Sequence, residues 1–246
     1  MKTVVLAAGY ATRLYPLTQD KPKALLPVGK KLLLDHLLGK LGGVPEMDEV
    51  VLVTNHRFAG QFSDWAKSNP CPCPIRVLDD GTTSNDNRLG AVGDLQFAIR
   101  EAGLKEDLMV LASDNLFDEG FRGFCDFALK HPRSASVGVY DIGDPSIAAG
   151  RYGVIECDST NKIVGIEEKP DQPKSPNVST GVYFFPQSSF QRMDEYLAGA
   201  ERKDAPGHYV RWLAEREAVY AYVFGGRWFD IGSLDQLEEA SKAYNA

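Results

Sequence analysis

Near the N-terminus the order Leu6-Ala7-Ala8-Gly9-Tyr10-Ala11-Thr12-Arg13 places small residues directly after a β-branched run, and a guanidinium directly after them. Small side chains let backbone N–H groups close on phosphate oxygens. An arginine adds a planar, bidentate cation at the same place. Ten residues beyond Arg13, Lys23 in Lys21-Pro22-Lys23 adds further positive charge on a stretch stiffened by proline. The chemistry this combination serves is the holding of a di- or triphosphate. It is neither of two familiar phosphate loops. G-x-G-x-x-G fails at Ala11 and Leu14, and G-x-x-x-x-G-K-[ST] is absent.

A triphosphate brings Mg²⁺, which takes a few carboxylates plus substrate oxygens. Two aspartates follow short apolar runs: Asp114 in Ser113-Asp114-Asn115, and Asp230 in Trp228-Phe229-Asp230-Ile231-Gly232. By position each has two readings. Asp114 is a metal ligand or a helix N-cap, and Asp230 a metal ligand or a turn residue. Glu168-Lys169 could meet sugar hydroxyls and a phosphate, but such a pair is usually a solvated face. In the segment 80–88 (DGTTSNDNR), Asn85 and Asn87 offer donor and acceptor to a base edge, or simply build a loop.

Elements must position these groups. Residues 3–8, 49–54, 75–78 and 107–112 read as buried strands, and 31–41, 58–67, 90–102 and 121–130 as helices. That alternation predicts an α/β fold, a Rossmann-like mixed but mostly parallel sheet with helices on both faces. Ligands of such sheets bind beyond the carboxyl ends of the strands. The second half carries shorter strands (136–140, 152–157, 163–167, 182–185, 219–224, 227–229) and helices at 188–197, 208–215 and 234–244. No Pro/Ser/Gly linker divides the chain, so 1–246 reads as one domain, with a nucleotide-binding half at 1–135 and a second half at 136–246.

Composition narrows the function class. A net charge of −7 is a poor field for nucleic acid but leaves room for a local phosphate site. No run approaches the length of a membrane span, and 4–8 is too short for a signal peptide, so a cytoplasmic protein is expected. Cys71, Cys73, Cys125 and Cys157 lack the paired spacing of a zinc site and read as free thiols.

The segments LAAGYATRLYPLT and KPKALLPV together closely resemble the signature of the sugar-phosphate nucleotidyltransferases, the pyrophosphorylases that make nucleoside-diphosphate sugars. Glucose-1-phosphate thymidylyl- and uridylyltransferases and mannose-1-phosphate guanylyltransferases are examples. S-D-N at 113–115, R-Y-G-V at 151–154, E-E-K-P at 167–170, N-x-x-T-G-x-Y at 177–183 and W-F-D-I-G at 228–232 extend the resemblance to about Tyr244. The departures are Ala11 and Ser113, where the family has glycine. At Ala11 an alanine requires φ < 0 or a small strain.

The resemblance implies a Mg²⁺-dependent transfer of a nucleoside monophosphate from a nucleoside triphosphate to a sugar 1-phosphate, with release of pyrophosphate. Arg13, Lys23 and Asp114 are then catalytic, and Asp114 and Asp230 hold the metal. Leu6, Ala7, Ala8, Gly9, Ala11, Thr12, Asn85 and Gly90 contact the nucleotide. Tyr152, Gly153, Glu168, Lys169, Val178 and Gly181 form the sugar-phosphate pocket, where Lys169 orients the attacking phosphate. No general base is needed, which leaves His36, His56, His131 and His208 structural. Two rivals stand beside it: a cytidylyltransferase for a phosphorylated alcohol or phosphonate, and a catalytically silent nucleotide-sensing subunit. Retention of Arg13, Lys23 and both aspartates argues against the latter. Self-association is left open. The short tail after the last helix predicts no appended second activity.

Overall fold

The computed structural model describes residues 1–68, 71, 73–199, 204 and 206–245. Its centre is β1 (Lys2–Leu6), hydrogen-bonded on both edges to parallel neighbours, β4 (Glu49–Thr54) and β6 (Leu108–Ala112). Strand β5 (Ile75–Asp79) continues the parallel side beyond β4. On the other side β11 (Asn177–Phe185) pairs antiparallel with β6 and also with β8 (Ala135–Asp141) and β9 (Gly153–Cys157). The order β10-β9-β11-β6-β1-β4-β5, with β10 spanning Ile163–Glu168, is the main path of a nine-stranded mixed sheet. The remaining two members are β8 and its parallel partner β12 (Val219–Val223). The first and second halves of the chain thus share one sheet.

Side chains alternate across a strand, and here the alternation sorts the core into two layers. Val5, Leu52, Met109, Leu111, Val182 and Phe184 face one layer. It is closed by α1 (Leu33–Gly39), α2 (Ala59–Ser68) and α4 (Arg122–Leu129). Val4, Val51, Val53, Leu108, Val110, Tyr183 and Phe185 face the other. That layer is closed by α3 (Ala91–Glu101), α5 (Phe190–Gly199) and α6 (Pro206–Ala214). Central strands buried on both faces have to be near-continuously apolar, which is what VVL and LMVLA are.

A third, smaller cluster matters for the site. Val28, Leu33, Leu116, Ile231 and Ala240 are buried together. They join the hairpin of β2 (Pro27–Val28) and β3 (Lys31–Leu32) to α7 (Leu234–Asn245) and to a two-stranded ribbon. The ribbon pairs β7 (Asn115–Phe117) antiparallel with β13 (Trp228–Asp230), with Asp230 opposite Asn115.

Several boundaries differ from the sequence reading. The single helix expected over 31–41 is the β3 edge, then α1, then a 3₁₀ turn at Lys40–Gly43. Leu32 pairs with Pro27, and the paired glycines Gly42-Gly43 close the last turn. The strand expected at 182–185 begins at Asn177, because β8 and β9 also pair with its first half. Strand β7 has no counterpart in the sequence pattern, since three residues show no periodicity. The strand expected over 227–229 runs Trp228–Asp230, so Asp230 is its last residue. Cys71 Sγ and Cys73 Sγ stand 3.6 Å apart as free thiols, and the other two cysteines are free as well. Among the described residues, no helix is long and apolar enough to cross a membrane.

Leu111 is fully buried in the first layer. Leu111→Ala should cost about 2–5 kcal/mol of folding stability, read as a lower urea midpoint with unchanged slope. A shift under about 1 kcal/mol would contradict the packing described.

Candidate active site

The loop after β1 passes Ala7 and Ala8, both buried, to exposed Gly9, which has open space where a Cβ would stand. Ala7 N–H donates to Val53 O, and the Asn55 amide donates to Ala8 O (2.9 Å), so β4 fixes the loop's start. Ala11 then takes φ 47° and ψ 41°, the left-handed region. Thr18 Oγ1 and Leu14 N–H both donate to Ala11 O (2.8 and 3.0 Å) and hold that turn. The family glycine position is therefore one where glycine is unstrained and alanine is not. Thr12 and Arg13 open a short 3₁₀ turn and are exposed.

Lys23 lies in a second 3₁₀ turn, Lys23–Leu25. Its Nζ donates to Asp114 Oδ2 (2.7 Å) and to Ile231 O (3.0 Å). Ile231 N–H in turn donates to Asp114 O (2.9 Å). Asp114 and Asp230 stand side by side at the end of the β7–β13 ribbon: Asp114 lies in the turn between β6 and β7, not at a helix N-cap, and Asp230 is the last residue of β13. Burial first, then the Asp114 charge, push the Asp230 carboxyl up to about 6, while Lys23, Arg13 and Arg151 pull it down. Two carboxylates forced together with one lysine between segments suit a hard divalent cation, which binds oxygen and relieves their repulsion. Among the described residues, no group of three or more His, Cys, Asp or Glu forms a metal cluster.

Asn115 carries the geometry onward. Its Nδ2 donates to Asp114 Oδ1 (2.8 Å), and its Oδ1 accepts from Trp228 Nε1 (2.8 Å). The Trp228 ring meets Tyr152 (centroids 5.4 Å) and Tyr140 (5.6 Å). Gly181, at φ 74°, lets this happen: a Cβ there would lie 2.7 Å from Ala112 Cβ and 3.2 Å from Asn115 Nδ2. Sequence reasoning assigns Asn115, Trp228 and Arg151 no role, although all three stand inside the signature segments. The Arg151 guanidinium lies over the Tyr152 ring (5.2 Å).

The other pocket residues gather at the β9–β10 edge. Glu168 lies against Gly153 and Gly207: added Cβ atoms would stand 3.0 and 2.6 Å from its Oε2. Lys169 has φ 50°, and its N–H donates to Tyr152 O (3.1 Å). Ala11, Lys169 and Asn161 are the non-glycine residues with positive φ among those described, and the first two belong to the expected site. Strained backbone of this kind concentrates where geometry is functionally constrained. The Tyr183 hydroxyl, 3.2 Å from Ser179 Oγ, is pushed up to about 12 by burial, with the Glu168 and Asp114 charges adding to the shift. It marks the seam between acceptor pocket and acid pair. Val178 is fully buried with Ala148 and Val154, so its side chain is core.

Gly90, at φ 79°, caps α3. Asn87 Oδ1 accepts from Thr83 N and Ser84 N (3.1 and 3.0 Å), and Asn85 Oδ1 from Arg88 Nη1 (2.6 Å). Arg88 also pairs with Asp204. These side-chain oxygens hold the loop together.

A family model described as nucleotidyl transferase matches residues 2–246. The chain is 24% identical over 242 residues to the bifunctional protein GlmU of Methanocaldococcus jannaschii. That match covers 98% of this chain and 54% of the relative, so the chain spans about half the length of this curated relative. Among solved structures, a glucose-1-phosphate thymidylyltransferase of Bacillus anthracis in complex with sucrose superposes with a TM-score of 0.80 at 25% identity. The superposition covers 100% of this chain and 95% of that one. A UDP-glucose pyrophosphorylase complexed with UDP-glucose gives 0.83 at 22% identity, covering 99% and 97%, and shares the fold.

A carboxyl raised by its folded surroundings destabilises the fold as pH climbs through the interval between its unfolded and folded values. For Asp230 that interval runs from 3.8 to about 6. In chelator, wild type should therefore lose more stability between about pH 4 and pH 7 than Asp230→Asn does. Guanidinium unfolding at the two pH values measures this, and an equal loss in both proteins contradicts it.

Proposed function

The chain belongs to the nucleotidyl transferase family, and we propose that it transfers a nucleoside monophosphate from a nucleoside triphosphate to a sugar 1-phosphate, releasing pyrophosphate. The observation that carries this reading is the meeting of Lys23, Asp114 and Asp230 beside the loop 6–13, with Glu168 and Lys169 across the Tyr183 seam.

The order of strands supports a linear layout. The acceptor groups lie at β9–β10, the acid pair beyond β6 and the phosphate loop beyond β1. Arg13 and the backbone of residues 8–12 hold the β- and γ-phosphates of the donor. Lys169 and Arg151 bring the acceptor phosphate to the other side of the reacting phosphorus, while Glu168 accepts hydrogen bonds from sugar hydroxyls. An acceptor oxygen forms the new bond to the α-phosphorus. The bond to the β-phosphate oxygen breaks, and pyrophosphate leaves with that electron pair. The attacking phosphate is already ionised near neutral pH, so no proton has to be removed. Positioning and charge neutralisation therefore do the catalysis. Asp114 and Asp230 would hold Mg²⁺, which supplies neutralisation of phosphate charge when bound. Lys23, which stands on Asp114, would join Arg13 in holding the departing phosphates. A cytoplasmic location completes the reading, because both substrates are highly charged phosphates that do not cross a lipid bilayer.

Lys23→Ala and Asp114→Ala should each lower kcat about 100-fold or more in a pyrophosphate-release assay that crosses nucleoside triphosphates with sugar 1-phosphates and Mg²⁺. A near-normal rate in either variant removes its assigned role. Absence of release with every pair, against folded protein, overturns the reaction.

A further inference from the structure

Glu168 is the carboxylate of the acceptor pocket, yet among the described residues none donates a hydrogen bond to it. Lys169 Nζ stands 3.9 Å from its Oε1. Around Oε2 stand two glycines. Gly153, the cross-strand partner of Glu168 on β9, would bring a Cβ to 3.0 Å, and Gly207, on α6, would bring one to 2.6 Å. The carboxylate therefore sits in a slot whose walls are bare backbone of β9 and α6. Shape holds it there, not a donor.

Gly207 is the second residue of α6, and glycine is the poorest helix former after proline. Its φ is not positive, so what it supplies is space and not backbone freedom. The helix cannot make that space by retreating. Tyr209, Val210 and Leu213 bury it in the second core layer, and the Tyr209 hydroxyl donates to Ser189 O (3.3 Å). Just before the helix, Ala91 N–H donates to Asp204 O (3.3 Å) and Arg88 Nε to Asp204 Oδ1 (3.1 Å), which ties its entry to the start of α3. A methyl group at 207 would be accommodated by the part that turns most freely, the end of the Glu168 side chain. To reach ordinary van der Waals contact, Oε2 would have to move by roughly 0.8 Å.

We propose that Gly207 is a positioning residue for the acceptor: its missing side chain keeps the Glu168 carboxyl in the slot against Gly153, at the place where it meets the sugar hydroxyls. The start of α6 thereby forms a wall of the acceptor pocket. Alanine at 207 favours the helix and displaces the carboxyl, so stability and acceptor binding move in opposite directions. An ordinary packing defect moves them together. Displacement of an orienting group by about 1 Å is enough to lower turnover substantially, because hydrogen bonds to the substrate are lost or bent.

The role of Gly207 rests on the reading of Glu168 as a ligand of the acceptor sugar, and the test keeps the two apart. Wild type, Gly207→Ala, Glu168→Asp and the double variant are compared in the pyrophosphate-release assay, with melting curves and a crystal structure of Gly207→Ala. Gly207→Ala should melt no lower than wild type. Its KM for the sugar 1-phosphate should rise about fivefold or more, while KM for the triphosphate stays within about twofold. The aspartate carboxylate, one methylene shorter, draws out of the slot. Adding Gly207→Ala to Glu168→Asp should therefore change KM for the acceptor by less than about twofold. A smaller rise in the single variant, a rise beyond that range in KM for the triphosphate, a lower melting temperature, or an undiminished effect in the Glu168→Asp background overturns the proposal and leaves the reaction intact. Where wild type releases no pyrophosphate with any pair, the reaction fails and the crystal structure decides the slot: a displaced Glu168 carboxyl upholds it, and an unmoved one overturns it.

Discussion

The ammonium of Lys23 is the point on which the site depends. It joins a turn near residue 23 to the end of β6 and to the segment after β13, groups 91 and 208 residues apart in sequence. Burial first, and then the neighbouring Asp114 charge, raise the Asp230 carboxyl there. The lysine ties the Asp114 carboxylate to the backbone of Ile231, the residue after Asp230. The small cluster of Val28, Leu33, Leu116, Ile231 and Ala240 serves the same end, since it fixes the ribbon that carries the acids.

The sheet turns that point into a line. Parallel pairing of β5, β4, β1 and β6 sends their carboxyl ends to one edge. The antiparallel extension through β11, β9 and β10 then adds Glu168 and Lys169 beyond Asp114. Contacts between these zones are short-range: Asn115 bridges Asp114 to Trp228 by hydrogen bonds, and the Trp228 ring meets that of Tyr152. Positive-φ backbone stands at the two ends of the line, at Ala11 and Lys169, and strain of this kind concentrates where geometry is constrained.

Much of this is legible in the sequence. Double-sided apolar runs such as VVL and LMVLA dictate central strands, because only a sheet covered on both faces buries them. Small residues ending in Arg13, followed by Lys23, mark a candidate phosphate site at a strand's carboxyl end. These are local properties, set by side-chain volume, periodicity and charge. The long two-part signature and the later segments carry the family assignment as well.

Tertiary structure decided the rest. It showed that the position of Ala11 has positive φ, which no residue letter reveals. It paired Asp230, at the end of a strand the sequence does show, with Asn115 of β7, a three-residue strand too short to show a period. It brought Lys23 onto Asp114, a contact that loop closure over 91 residues leaves invisible in sequence. It committed the oxygens of Asn85 and Asn87 to their own loop, which their letters do not show. A sequence determines which groups a chain owns. Only folding determines which of them are already satisfied, and the unsatisfied ones are those a substrate can use.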